Sequence, residues 1–214
     1  SQALNGTTPE VPLRVLRKLP DSLREQDGLI TLSLAGDDDT ARVVDCIGGR
    51  ARGPAMGLAV DLGTTTIAVQ LLDLENGHVL ATRNGYNSQI ACGLDVISRI
   101  NYAARPERLE DLRAHAVESI NRLIVEAAAD AAAAPDAITC GRISGNTVMT
   151  HLLLGIKPEY IRLDPYVPTV LSVARLSANE LGLALNPDAL ISLSPCVGSY
   201  VGGDPRANIL GALG

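Results

Sequence analysis

The sequence has no tryptophan and no phenylalanine, so its five tyrosines are the only aromatic side chains. A surface that stacks nucleobases has almost nothing to build on. Clustered basic charge is also scarce: Arg14, Arg17 and Lys18 form the longest group, and the formal net charge is -6. Both absences exclude nucleic acid as a main partner, because neutralising phosphates needs Lys and Arg in number. Long apolar runs are missing too. Ile138 to Ile143 and Leu152 to Ile156 fall far short of the roughly 20 residues of a spanning helix, so no membrane association is expected. Residues 1–20 lack the basic and then apolar pattern of a secretory signal, which makes the cytoplasm the expected compartment.

Close cysteine pairs are absent as well. Cys46, Cys92, Cys140 and Cys196 are dispersed, whereas zinc and iron–sulfur sites usually show at least one C-x2-C pair. Four separate thiols are expected. Asp37-Asp38-Asp39 lacks EF-hand spacing and reads as a solvated hairpin turn. Neither G-x4-G-K-S/T nor a strand-linked G-x-G-x-x-G occurs, so P-loop and dinucleotide-binding classes drop out.

What is present is 214 residues at 46% hydrophobic composition, enough to bury a core as one large or two small domains. An apolar-basic stretch ends at Pro20, a polar segment follows, and Leu29–Leu34 and Ala41–Ile47 read as strands. Gly48 to Pro54 is the best break, placing a boundary between residues 1–55 and 56–214. After it, Gly57–Val60, Thr66–Leu74 and His78–Tyr86 read as successive antiparallel strands, the last two joined by a type I′ turn at Asn76-Gly77. Asp95–Ala103 is a short helix. A long one runs from Pro106 to about Ala134, with Leu109, Leu112, Ala116, Ile120, Leu123 and Ala127 on one apolar face and Arg113 and the solvent-facing His115 off it. Strand Ile138–Ser144, helix Thr147–Leu154, an extended proline-bearing segment, a capping box at Ser177–Glu180 and strand Ala189–Leu193 follow. A final helix opens at Pro205. The order fits a layered α/β domain.

GLAVDLGTTT puts Asp61 at the end of a buried strand, Gly63 in the turn, and Thr64, Thr65 and Thr66 leading into the next strand. A tight glycine turn aims backbone N–H groups at an anion, and threonine hydroxyls add donors. Asp61 can then hold Mg2+ through water while the turn holds the β- and γ-phosphates of a nucleotide. An ordinary β-hairpin is the plain alternative. The three threonines, the flanking strands and a second glycine-acid loop at Gly202-Gly203-Asp204 favour a nucleotide.

The stretch from Gly57 to Ala103, with Asn87-Ser88-Gln89 and Gly93-Leu94-Asp95-Val96-Ile97-Ser98-Arg99-Ile100, resembles the first phosphate region of the ATP-dependent reductive activators of corrinoid proteins. Ser144 to Ile161, Pro165 to Pro168 and Val201 to Asp204 are similar to the family's next blocks. The resemblance implies the first lobe of an actin/sugar-kinase/Hsp70-type (RNase H-like) ATPase domain, with residues 11–50 as the end of a preceding small domain. It implies ATP and Mg2+ as cofactors, a 2Fe–2S cluster only outside this segment, and a corrinoid (cobalamin-binding) protein as partner. Asp61 would orient Mg2+ and the attacking water; Gly63, Thr64 and Thr65 would cradle phosphate with Thr66 beside them; Gly202, Gly203 and Asp204 would grip it from the opposite side; Asn146 would stiffen the cleft. For Asn87, Asp95, Arg99 and His151, structural roles in turns, caps or ion pairs and direct catalysis both fit. Pro205, Arg206 and Asn208 depart from the family pattern. The expected function is ATP-driven return of cobalt(II) corrinoid to cobalt(I) for methyl transfer, with a homodimer left open. A sugar-kinase-like phosphotransferase and a non-catalytic binding fragment are the alternatives.

Overall fold

The computed structural model describes residues 8–36, 41–51 and 53–196. Helix α1 (Leu13–Glu25) and the antiparallel pair β1 (Ile30–Ala35) and β2 (Arg42–Gly48) form a small layer around Val15, Val43 and Cys46. The expected strands are there; the helix is a correction. Pro20 lies inside it, which argues against a helix, and Pro12 caps it without a side-chain bond, so its start carries no capping signal. Burial of Val15 and contacts of its basic side chains hold it nonetheless. Lys18 pairs with Asp45 at 2.7 Å, and Arg14 reaches Asp188 at 2.6 Å and Asn186 at 2.7 Å. The helix is thus tied to the loop that leads into the last strand of the main sheet.

That sheet has six strands in the order β5-β4-β3-β6-β8-β7. Strands β3 (Met56–Leu62), β4 (Thr66–Asp73) and β5 (Val79–Tyr86) form the expected antiparallel meander. The chain then passes through a 3-10 turn (Ser88–Cys92), α2 (Val96–Tyr102) and α3 (Pro106–Asp130) before β6 (Ile138–Gly145) returns parallel to β3. Next come α4 (Thr147–Leu154), α5 (Glu159–Arg162), the short β7 (Leu176–Ser177), α6 (Ala178–Leu181) and β8 (Leu190–Leu193), which lies parallel to β6. The C-terminal ends of β3, β6 and β8 therefore share one edge of the sheet. Asp95 and Ser177 both close capping boxes on their helices, through Ser98 and Glu180. No described helix is long and apolar enough to cross a membrane.

Two turns differ from expectation. The β4–β5 connection is a four-residue loop, not a type I′ turn: Asp73 N–H donates to His78 O at 2.9 Å, and only Gly77 takes a left-handed φ (75°). A type I′ turn needs positive φ at both central residues. Here the Asp73 carboxylate accepts from Glu75 N–H and the Asn76 amide, which holds Asn76 in an ordinary conformation. Helix α3 stops at Asp130 rather than near Ala134, because Ala132 turns left-handed (φ 50°) and the N–H groups of Ala132 and Ala133 fold back onto Ala129 and Ala128. That is a Schellman close made without glycine, hence silent in the sequence. Within the proline-bearing segment expected to be extended, residues 159–162 form α5.

Alternation along β3, β4 and β6 sorts the sheet into two faces. Leu58, Val60, Leu62, Ile67, Val69, Leu71 and Ile143 are buried in the core beneath α3, whose expected stripe is buried throughout. The opposite face carries Ala59, Asp61, Gln70 and Arg142, all half-buried. His115, expected to face solvent, is half-buried. Truncating Leu123→Ala, wholly buried on the stripe, should cost about 2–5 kcal/mol of unfolding free energy. Val125→Ala, on the exposed side of the same helix, should change it by less than about 0.5 kcal/mol. Urea unfolding of both variants checks the pair, and equal losses would contradict the packing described.

Candidate functional site

Strand β3 delivers Asp61 and Leu62 to the shared edge, and the chain reverses at Gly63-Thr64-Thr65 into β4. The reversal leaves no room at Gly63: a Cβ there would collide with the backbone oxygen of Thr66. Asp61 lies in register between Ala68 of β4 and Ser144 of β6. Its carboxylate makes no hydrogen bond or ion pair among the described residues. Burial alone holds the Asp61 carboxyl above the usual carboxylate range, as desolvation disfavours the charged form. A cation nearby would reverse that penalty, so the residue suits water-mediated Mg2+.

The turn is held from the core side by its carbonyls. Asn87, wholly buried, donates its side-chain amide to Gly63 O at 2.9 Å, and its backbone N–H to Thr65 O at 2.9 Å. Arg99, also wholly buried, donates through Nη2 to Thr64 O at 2.7 Å. A planar trans peptide points its N–H opposite to its C=O. With the Gly63 and Thr64 carbonyls fixed inward, the N–H groups of Thr64 and Thr65 must point the other way. Thr65 and Thr66 are exposed there, and Thr64 is half-buried. Such an array of outward N–H groups is an anion cradle.

Asn146 joins the same cluster from β6. It caps α4, accepting from Met149 N–H at 2.9 Å, and its amide donates to Thr64 Oγ1 at 3.2 Å. Asp61, Gly63, Thr64, Thr65, Thr66 and Asn146 thus lie at one end of the sheet. The Gly202, Gly203 and Asp204 loop falls outside the described residues, as does the helix expected from Pro205. So does the Asp37-Asp38-Asp39 turn.

Sequence reasoning left Asn87, Asp95, Arg99 and His151 between structural and catalytic roles. Asp95 is an N-cap, bonded to Ser98 N–H at 2.7 Å. Four residues before Arg99, it would read as its ion-pair partner, yet Arg99 makes no salt bridge among the described residues and binds Gly93 O, Gln89 Oε1, Met149 Sδ and Thr64 O instead. The carbonyl clamp has no spacing signature; only an arginine set between Ile97 and Ile100 in a short helix hints at it. His151 is structural. It is wholly buried, with Nδ1 at 2.7 Å from Thr147 O and Nε2 facing Val170 N–H at 3.4 Å. The neutral tautomer protonated on Nδ1 satisfies both contacts. The four cysteines are free, Cys46 and Cys196 buried and Cys92 and Cys140 half-buried.

Residues 56–212 match the family described as the RACo middle region. The chain belongs to that family. Among relatives, the corrinoid activation enzyme RamQ of Eubacterium limosum is 32% identical over 172 residues, which cover 79% of this chain and 29% of that protein. The solved structure of a reductive activator for corrinoid, iron-sulfur protein is 37% identical and superposes with a TM-score of 0.85, covering 98% of this chain and 33% of that one. The family match begins at Met56, the first residue of β3, and takes in the whole six-stranded sheet. The chain spans about a third of the length of either relative.

Burial lowers the His151 pKa, against a smaller opposing effect of the bond to Thr147 O. The unfolded chain then binds the proton more readily, so stability rises with pH across the interval between the folded value and the ordinary one of about 6.5. The contribution is complete above about pH 6.5 and is lost as pH falls through the folded value. Urea midpoints measured between about pH 5 and 7.5 should decline towards acid more steeply in the wild type than in His151→Gln. Parallel profiles would show that His151 does not carry the effect.

Proposed function

We propose that this chain forms the first lobe of an actin/sugar-kinase/Hsp70-type ATPase domain, and that it serves ATP-dependent reductive activation of a corrinoid protein. Residues 56–214 would make the lobe and residues 1–55 the end of a preceding small domain. The observation that carries the nucleotide reading is the turn at Gly63-Thr64-Thr65, closed to any Cβ at its glycine and clamped by its carbonyls so that N–H groups face outward. A meander followed by parallel strands whose C-terminal ends share an edge supports it, since ligands of α/β sheets bind beyond those ends. The corrinoid part rests on the family and on the two relatives, one named for corrinoid activation and the other for reductive activation of a corrinoid, iron-sulfur protein.

In this reading Thr64 and Thr65 N–H groups would bind the β- and γ-phosphates, Thr66 would add a hydroxyl, and Asp61 would hold Mg2+ through water and orient the attacking water. Asn146 keeps Thr64 in place. Gly202, Gly203 and Asp204 would close the phosphates from the other side. Hydrolysis of ATP to ADP and phosphate supplies the free energy that biases a two-state cleft. The one electron that takes cobalt(II) in the partner to cobalt(I) would be supplied by a reduced 2Fe–2S cluster held outside these residues.

Calorimetry with Mg-ATP on the full-length protein should show binding that Gly63→Ala weakens at least tenfold. Asp61→Asn should leave binding within a fewfold but slow hydrolysis by roughly 10²-fold, the scale of losing a positioned catalytic carboxylate. Wild-type protein that binds no nucleotide would overturn the ATPase reading. Nucleotide turnover that never speeds the spectral change of cobalt(II) to cobalt(I) in a corrinoid protein would overturn the corrinoid reading.

A further inference from the structure

Arg99 is the largest wholly buried side chain among the described residues. An arginine stays charged in proteins, and a buried charge is ordinarily paired with an opposite one. Arg99 is not. Its guanidinium donates to Gly93 O at 2.9 Å, Gln89 Oε1 at 3.0 Å, Met149 Sδ at 3.3 Å and Thr64 O at 2.7 Å, all neutral acceptors. Cys92 and, after it, Asp95 act on the guanidinium at longer range, and Asp95 is exposed and engaged in capping α2. The Arg99 donors hold two carbonyls, an amide oxygen and a sulfur, and none of the four brings a charge that offsets the guanidinium's.

The site offers a place for one. Thr64 O, the acceptor nearest the guanidinium, belongs to the peptide whose N–H, on Thr65, points to the outer side of the turn. An anion seated on that N–H lies one peptide group away from the Arg99 charge, across buried material that screens poorly. We propose that Arg99 is a positioning residue with an electrostatic function: it fixes the turn through Thr64 O, and its unpaired charge is balanced by the polyphosphate of a bound nucleotide. This rests on the nucleotide reading above and deepens it, because it makes affinity depend on phosphate charge and not only on turn geometry. Gln89 is part of the same device. Its Oε1 accepts from both Arg99 and Asn87, and being an amide it orients them without cancelling the charge.

The test compares Mg-ATP and Mg-ADP affinities by calorimetry in the full-length wild type, Arg99→Gln, Arg99→Lys and Gln89→Glu, with thermal midpoints taken without ligand. Arg99→Gln should weaken ATP at least tenfold and ADP at least threefold less than that, and Arg99→Lys should recover part of the difference. Gln89→Glu keeps Arg99 but sets a carboxylate against it, and should reproduce the same greater loss for ATP. Should Arg99→Gln fail to fold, Gln89→Glu decides alone. Equal losses for the two nucleotides, or affinities unchanged from wild type, would overturn the electrostatic role and leave Arg99 a structural clamp. Wild-type protein that binds neither nucleotide would instead remove the nucleotide reading on which the inference rests.

Discussion

The geometry of the site depends on one constraint, that the carbonyls of Gly63, Thr64 and Thr65 are all bonded from the core side. A turn of this size could rotate its peptides, and each rotation would swap an N–H for a C=O at the outer surface. Asn87 and Arg99 remove that freedom. The surrounding elements can be understood as the means of delivering those two side chains. The 3-10 turn after β5 presents Asn87 and Gln89, and α2 presents Arg99. The 3-10 turn is secured to α3: the Gln89 amide donates to Leu112 O at 2.8 Å, and Ser88 Oγ donates to His115 O at 2.9 Å. Buried polar groups are tolerated only when satisfied, and here each bond that satisfies one also fixes the turn.

The asymmetry of the sheet explains why the site has an accessible carboxylate at all. Residues 58, 60 and 62 of β3 face the α3 side and are apolar, so residue 61 falls on the other face by the period of the strand. That face is polar and half-buried, with Gln70 and Arg142. Asp61 is therefore half-buried, and desolvation raises its carboxyl above the usual carboxylate range. A shift of register by one residue would bury it beneath α3 and expose Leu62 instead.

Most of the framework was legible because hydrophobic period and turn residues agreed. The meander, the short helix from Asp95, the stripe of α3 from Leu109 to Ala127, the capping box at Ser177 and the helix opening at Thr147 all have local causes. What was not legible has tertiary causes. Helix α1 runs through Pro20 because Val15 and the Arg14 and Lys18 contacts outweigh the proline, and those partners lie as far away as Asp188. The end of α3 uses Ala132 where a glycine would announce it. The turn at Leu74–Gly77 departs from type I′ because Asn76 is held by Asp73 rather than by its own preference for positive φ. In the site, the hairpin residues were recognisable from type and order. The partners of Arg99 were not, since the acid at the helical spacing that suggests an ion pair is used as a cap.

Shared acceptors make these contacts a single unit. Met149 Sδ lies within reach of both the Arg99 guanidinium and the Asn87 amide, and Met149 N–H is the group that the Asn146 cap accepts. Asn146 in turn donates to Thr64 Oγ1, so the path from Asn87 through Met149 and Asn146 returns to the residue whose carbonyl Arg99 holds. Groups in such a loop do not act independently: removing one partner relaxes the others, and single substitutions report the network rather than one bond. Methionine suits the central place because its unbranched, polarizable side chain fills an irregular gap between two polar donors without demanding a fixed geometry. The rigidity of the turn is thus a property of β3, the 3-10 turn, α2 and α4 together, and a neighbour can alter the site without touching the hairpin by displacing any one of them.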